Sequence, residues 1–293
     1  MSIRTVGVLG CGLMGSGIAQ VSAVAGYAVS VRDLSDELLA RGRVTIDASL
    51  GRFVEKGKLE PAARAAALER LRFTTALEEL TGCDLIVEAV TEELELKNTL
   101  WVALDRLCPP HTLFASNTSS LSIMAMARVT TRQDRFLGLH FFNPVPLMPL
   151  VEVVRTIATS SATLATATQF VRSLGKEPIA APDTAGFIVN LLLIPYLLDA
   201  VRAVERGVAS VQDIDLGMKL GCGHPMGPLT LLDFVGLDTS LKVGEILYEE
   251  YREARYAPPP LLKRLVLAGW LGKKSGKGFY DYTRTPPQPS DLL

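Results

Sequence analysis

Over residues 5–181, short apolar runs alternate with longer stretches in which apolar positions recur at helical spacing. The short runs cover 5–9, 28–31, 72–74, 84–88, 112–116, 136–139, 150–154 and 178–181, and each has the length and composition of a strand. Helical spacing covers 16–25, 36–55, 61–71, 94–107, 121–128 and 162–174. Strands that alternate with helices predict a mostly parallel sheet with helices on its faces. The 36–55 and 61–71 segments follow one another directly, which predicts a helical hairpin inserted into that pattern. Pro182-Asp183-Thr184-Ala185-Gly186 reads as a linker. Beyond it the spacing is helical over 187–206, 211–220, 229–235, 239–252 and 259–268, with a break at 221–228. The expected organisation is an α/β domain over 1–182 and an all-α domain over 183–293.

The first strand runs straight into Gly10-Cys11-Gly12-Leu13-Met14-Gly15 and then a helix. Glycines between a strand and a helix permit a tight turn and close backbone approach, and the helix start offers unpaired N–H groups to a pyrophosphate. Asp33 ends the second strand, roughly 20 positions on, where a carboxylate accepts hydrogen bonds from ribose hydroxyls. The α/β part is therefore read as a Rossmann-type dinucleotide-binding domain. Asp33 favours NAD over NADP, although Arg32 beside it could accept the extra phosphate. The alternative is a glycine-rich turn with no ligand.

His140 is one of three histidines and stands at the end of an apolar run; Glu152 lies within another, flanked by Val151 and Val153. A carboxylate in such surroundings needs a partner. If the proline-rich segment between them turns the chain back, His140 is that partner. A carboxylate fixes the imidazole tautomer and stabilises its charged form, which suits a general base. The alternative is a core ion pair without a chemical role. Glu92 and Lys97 stand around a helix start, and Asn117-Thr118-Ser119-Ser120 follows a strand on the expected cofactor side. Some of these hydroxyls must serve as a helix N-cap instead. Lys56 and Lys58 at the hairpin tip read as a solvated basic turn, the more common explanation of such a cluster.

Composition narrows the class further. The 293 residues are 48% hydrophobic with a formal charge of −1, which carries no polyanion-binding signature. Four scattered cysteines without a CxxC pair read as small buried apolar residues in a reducing compartment. No metal-ligand spacing is present. There is no signal-peptide pattern, and the most apolar window, 187–198, is too short to span a membrane and contains Asn190 and Pro195. A cytoplasmic protein is expected, with a loose tail over 286–293.

Seven motifs then occur in order along essentially the whole chain: GCGLMGSGIAQ (10–20), ASNTSSLSI (115–123), GLHFFNPVPLM (138–148), LVEV (150–153), GFIVN (186–190), HPMGPL (224–229) and GKKSGKGFYDY (272–282). Together they resemble the L-3-hydroxyacyl-CoA dehydrogenases, most nearly the bacterial short-chain branch that acts on 3-hydroxybutyryl-CoA. The resemblance implies NAD-dependent oxidation of an L-3-hydroxyacyl-CoA in fatty acid β-oxidation or butanoate metabolism. It also implies a C-terminal helical domain that forms a homodimer, with substrate between the domains. His140 would be the base, Glu152 its partner, and Ser119 and Asn190 the holders of the substrate oxygens. Gly10, Gly12, Leu13, Met14, Gly15, Asp33, Glu92, Lys97, Asn117, Asn143 and Lys274 would lie around the dinucleotide, and Ser49 and Lys56 would contact CoA. Two positions depart from the family pattern: Leu191 replaces a usual arginine and Pro149 a frequent lysine. Rival readings are another hydroxyacid dehydrogenase of related fold, such as the L-gulonate type, or a non-catalytic dinucleotide-binding protein.

Overall fold

The computed structural model describes residues 2–291, which divide into two compact units, one ending at Phe187 and one beginning at Ile188. In chain order the first unit comprises β1 (Thr5–Leu9), α1 (Leu13–Val24), β2 (Ala28–Arg32), α2 (Asp36–Glu55), α3 (Pro61–Glu69), β3 (Leu71–Thr74), β4 (Leu85–Glu88), α4 (Leu94–Leu107), β5 (Leu113–Ser116), α5 (Ile123–Ala127), β6 (Phe136–Phe141), β7 (Leu150–Arg155), α6 (Ser161–Ser173) and β8 (Glu177–Pro182). Its strands form one eight-stranded sheet in the order β3-β2-β1-β4-β5-β6-β7-β8. All neighbours are parallel except β6 and β7. This is the Rossmann-type arrangement that the alternating pattern predicts.

The central strands are buried on both faces, so they read as near-continuous apolar runs: β4 and β5 contain no exposed position. Small residues bring α1 close to the sheet, with Gly15, Ser16, Gly17, Ile18 and Ala19 all buried. The hairpin α2–α3 is the crossover between β2 and β3 and adds Leu39, Ile46, Leu50 and Ala67 to the same core. Full burial of a side chain such as Ile46 contributes about 1.5–3 kcal/mol. Because β1, β2, β4, β5 and β6 run parallel, their carboxyl ends share one edge of the sheet.

Several element ends differ from the pattern read in the sequence: Leu71 opens β3 instead of closing the helix before it, and three further differences lie near the candidate site. α1 begins at Leu13 and not at Ser16, because the first helical turn is wound from the glycine motif itself. β6 extends through His140 to Phe141 by pairing with β7. Residues 187 and 188 are not helical: Gly186 and Phe187 both have positive φ, and α7 starts at Val189.

The second unit holds α7 (Val189–Glu205), α8 (Val211–Gly221), α9 (Pro228–Val235), α10 (Leu237–Tyr251) and α11 (Pro260–Leu267). A small hairpin follows, β9 (Tyr280–Asp281) with β10 (Gln288–Pro289). Asp215 of α8 accepts from the amides of Leu229 and Thr230 and so caps α9. Asp233 of α9 accepts from the amides of Phe279 and Tyr280. The described part of the tail is therefore paired rather than loose: β10 lies on β9, and the Ser290 amide donates to the Phe279 carbonyl. Leu292 and Leu293 lie outside the described residues. Cys11, Cys83 and Cys108 are buried, but Cys222 is exposed, contrary to the reading of all four as buried. Among the described residues no helix is long and apolar enough to cross a membrane.

Candidate active site

The glycine turn stands at the carboxyl end of β1, between β2 and β4, where the strand order reverses direction. The Gly10 amide donates to the Arg32 carbonyl at 2.8 Å, and Ala89, just past β4, donates to Leu9. Gly10 has φ +90°, and a Cβ there would lie 2.6 Å from the Ala89 carbonyl oxygen. A Cβ on Gly15 would lie 1.9 Å from the Gly10 carbonyl oxygen. Gly12 is different: a Cβ there meets nothing within 4 Å, and α1 receives no side-chain cap from it. The space in front of the helix start is open and its first amides are uncapped, which suits a pyrophosphate. Asp33 sits beside this turn, with Oδ2 accepting from the Cys11 amide (2.6 Å) and Oδ1 from the Leu34 amide (2.7 Å). Each oxygen keeps acceptor capacity for a ribose hydroxyl. These residues fit a bound dinucleotide. Burial, with the Asp33 charge added, pushes the Cys11 thiol up to about 11, so it stays neutral beside the turn.

A second group lies at the ends of β4 and β5. Glu88 and Lys97 are fully buried and pair at 2.6 Å, and Lys97 also reaches Glu92 at 3.1 Å. Glu88 further accepts from Ser116 Oγ (2.6 Å) and the Val90 amide (2.8 Å). Removing one member of such a buried set costs about 3–5 kcal/mol, because the other charge is left without its partner. Glu92 accepts from the Thr118 hydroxyl and from the Ser119 amide. Burial alone would raise the Glu92 carboxyl; the Lys97 ammonium and these hydrogen bonds outweigh it and hold the group below the usual range. Glu88 was not singled out in the sequence, where it is simply the last residue of an apolar strand. The signal that flags Glu152, a carboxylate within an apolar run, would have found Glu88 at the end of its own run.

The capping alternative for Ser119 is settled by geometry. Ser122 caps α5, accepting from the Ala125 amide, and Asp183 accepts from Ile123 and Met124. Thr118 Oγ1 takes the amides of Ser120 and Leu121. Ser119 performs none of these tasks. Asn117 uses its side-chain oxygen to accept from the Phe141 amide at 2.9 Å, which ties the end of β5 to the end of β6.

His140 lies on β6 directly opposite Glu152 on β7 in the antiparallel register. Their side chains therefore stand on one face of the sheet, and His140 Nδ1 is 2.6 Å from Glu152 Oε2. Glu152 is fully buried and His140 is 6% exposed. In the tautomer that donates from Nδ1 to the Glu152 carboxylate, Nε2 keeps its lone pair and is the nitrogen that can accept a proton. Phe142 and Phe187 pack against the imidazole, with ring centroids 4.6 and 5.6 Å away. Phe187 does so from a left-handed backbone (φ +48°), a conformation that is costly for a bulky residue and tends to occur at functional sites. No sequence signal marked it.

The remaining candidates are more scattered. Asn143 is exposed in the loop after β6. Ser49 is half-buried on α2, and Lys56 is the exposed residue that closes it. Asn190 and Lys274 belong to the second unit: Asn190 is half-buried in the first turn of α7, and Lys274 pairs with Asp238 at 2.6 Å.

Residues 5–184 fit the model of the 3-hydroxyacyl-CoA dehydrogenase NAD binding domain, and residues 186–282 that of the C-terminal domain. The chain belongs to the 3-hydroxyacyl-CoA dehydrogenase family. It is 50% identical to a 3-hydroxybutyryl-CoA dehydrogenase of Mycobacterium tuberculosis over 283 residues, 96% of this chain and 99% of the relative. It is 49% identical to the mitochondrial hydroxyacyl-coenzyme A dehydrogenase of Mus musculus over 287 residues, 96% of this chain and 91% of the relative. Among solved structures, the (S)-3-hydroxybutyryl-CoA dehydrogenase of Ralstonia eutropha superposes with a TM-score of 0.93 at 46% identity. That match covers 97% of this chain and all of the other. The family's NAD-binding domain is thus the unit that carries the glycine turn, Asp33, His140 and Glu152.

Proposed function

We propose that this protein catalyses the reversible oxidation of L-3-hydroxyacyl-CoA to 3-oxoacyl-CoA, with NAD as cofactor and 3-hydroxybutyryl-CoA as substrate. The observation that carries the reading is the 2.6 Å His140–Glu152 contact at the sheet edge that bears the dinucleotide turn. His140 Nε2 takes the proton from the substrate hydroxyl, and Glu152 stabilises the imidazolium that results. In the reverse direction the same nitrogen returns the proton to the 3-oxo oxygen. Ser119 and Asn190 hold the substrate oxygens, which keeps the reacting groups close and supplies much of the rate. NAD, when bound, supplies the ring that accepts hydride. The amides of Gly12, Leu13, Met14 and Gly15 would hold its pyrophosphate and Asp33 its ribose. Gly10 shapes the turn, and Glu92, Lys97, Asn117, Asn143 and Lys274 complete the surroundings. Ser49 and Lys56 receive the CoA moiety. The same reading carries a homodimer and a cytoplasmic setting; thiols without disulfides fit a reducing compartment.

The test is consumption of NADH with acetoacetyl-CoA, set beside reduction of NAD with L-gulonate. Turnover is expected in the first reaction and none in the second. The opposite result would assign the chain to the gulonate type, and no turnover in either would leave a dinucleotide-binding protein. Light scattering of the eluted protein tests the dimer.

A further inference from the structure

We infer that Lys176 is a positioning residue of this site: its ammonium fastens the loop that joins the strand of His140 to the strand of Glu152. The inference rests on the dehydrogenase reading above. Lys176 precedes β8 and is 8% exposed, yet its Nζ donates to two backbone carbonyls, Val145 and Met148, both at 2.6 Å. Burial lowers its pKa, and among the described residues no carboxylate forms an ion pair with it. An ammonium buried without a counter-ion is costly, so a fold retains one where a neutral side chain would not do the same work.

The loop explains what that work is. Residues 143–149 contain Pro144, Pro146 and Pro149, which have no N–H to donate, so the carbonyls of the loop must find donors elsewhere. Inside the loop, the Pro144 carbonyl takes the amides of Leu147 and Met148. From outside, Lys176 takes the carbonyls of Val145 and Met148, and the Glu177 amide takes that of Pro149 at 2.7 Å. One short segment, 176–177, thus closes the whole connection between β6 and β7. Val145 is also buried against α1: a Cβ on Gly17 would lie 2.7 Å from the Val145 Cβ. The ammonium therefore holds the base strand, the loop bearing Asn143 and the helix behind the glycine turn in one arrangement. It touches no reacting atom; it acts through His140, Glu152 and Asn143.

The experiment compares the wild-type protein with Lys176→Met, which fills the space but cannot donate. Three quantities are read: NADH affinity by fluorescence, amide exchange of Leu147 and Met148 in the protein without cofactor, and kcat with its isotope effect from deuterated NADH. The expected result is weaker NADH binding, faster exchange at both amides, and kcat down about 10- to 100-fold with a raised isotope effect. KM for acetoacetyl-CoA should stay near the wild-type value. A purely structural role would lower kcat only by the fraction unfolded, with exchange confined to global opening and the isotope effect unchanged; that result overturns the inference. If Lys176→Met does not fold, Lys176→Gln, a shorter neutral donor, is read by the same criteria and should show smaller losses of the same kind. Should the wild-type protein fail to oxidise NADH with acetoacetyl-CoA, the dehydrogenase reading falls. NADH affinity and amide exchange would still decide the role of Lys176.

Discussion

At the scale of single residues, the glycine turn separates two duties that the motif alone runs together. Gly15 is there for the fold, since any side chain would collide with the Gly10 carbonyl. Gly12 is free of that constraint, since a side chain would collide with nothing in the protein, and the proposed function gives it a role in leaving room for the pyrophosphate. Gly15→Ala should therefore cost about 1–3 kcal/mol of stability, the usual price of overpacking, and weaken NADH as well. Gly12→Ala should leave stability within about 0.5 kcal/mol and still weaken NADH binding sharply. Thermal unfolding paired with NADH titration distinguishes them, and equal stability losses would remove the argument. The pairing of His140 with Glu152 was legible from residue context because a carboxylate between valines demands a partner. Glu88 and Lys97 follow the same physics, but the chain brings them together across the start of α4 and the end of β4, which no local pattern displays. Phe187 was invisible for another reason: a phenylalanine carries no mark of a positive φ.

At the scale of elements, two predictions follow from how helices are tied down. Asp233 on α9 is 1% exposed and accepts from the Phe279 and Tyr280 amides and the Tyr282 hydroxyl. Burial pushes its pKa from 3.8 up to about 6, against the lowering effect of those bonds. The folded protein thus holds a proton that the unfolded chain releases between about pH 4 and 6. Stability from this group is fully present below the unfolded pKa and is lost as pH rises through the folded value, to a total of about 3 kcal/mol. The difference in unfolding free energy between wild type and Asp233→Asn should move in that direction from pH 4 to pH 7. A difference independent of pH would contradict the assignment. On the hairpin, Lys56 closes α2 and is exposed, so the contact with the 3′-phosphate of CoA proposed for it should contribute only about 1 kcal/mol and weaken with salt. Lys56→Ala should raise KM for acetoacetyl-CoA several-fold with kcat unchanged, and should not affect acetoacetyl-pantetheine. Equal losses with both substrates would show that the residue acts on the hairpin itself. Most elements were legible because strands and helices differ in apolar period. The ends were less so: α1, β6 and α7 begin or stop where turn geometry and pairing, rather than pattern, decide.

At the scale of the whole molecule, the sequence resolves into a sheet-based unit that carries the dinucleotide turn and the His–Glu pair, and a helical unit that carries Asn190 and Lys274. The pattern changes from alternating runs to helical spacing near the linker read at 182–186, and the compact units divide a few residues later, between Phe187 and Ile188. The tail was not legible, because β10 gains its structure from pairing with β9 rather than from its own propensity. The central claim joins these scales: the His140–Glu152 pair performs the proton transfer of a 3-hydroxyacyl-CoA dehydrogenase. It is tested most directly by the single-turnover rate of His140→Gln with acetoacetyl-CoA and saturating NADH, with NADH affinity measured on the same sample. The account predicts a fall of about two to four orders of magnitude with NADH affinity unchanged, and a smaller fall for Glu152→Gln, which keeps the imidazole but removes its counter-charge. A His140→Gln protein that turns over at the wild-type rate would contradict it.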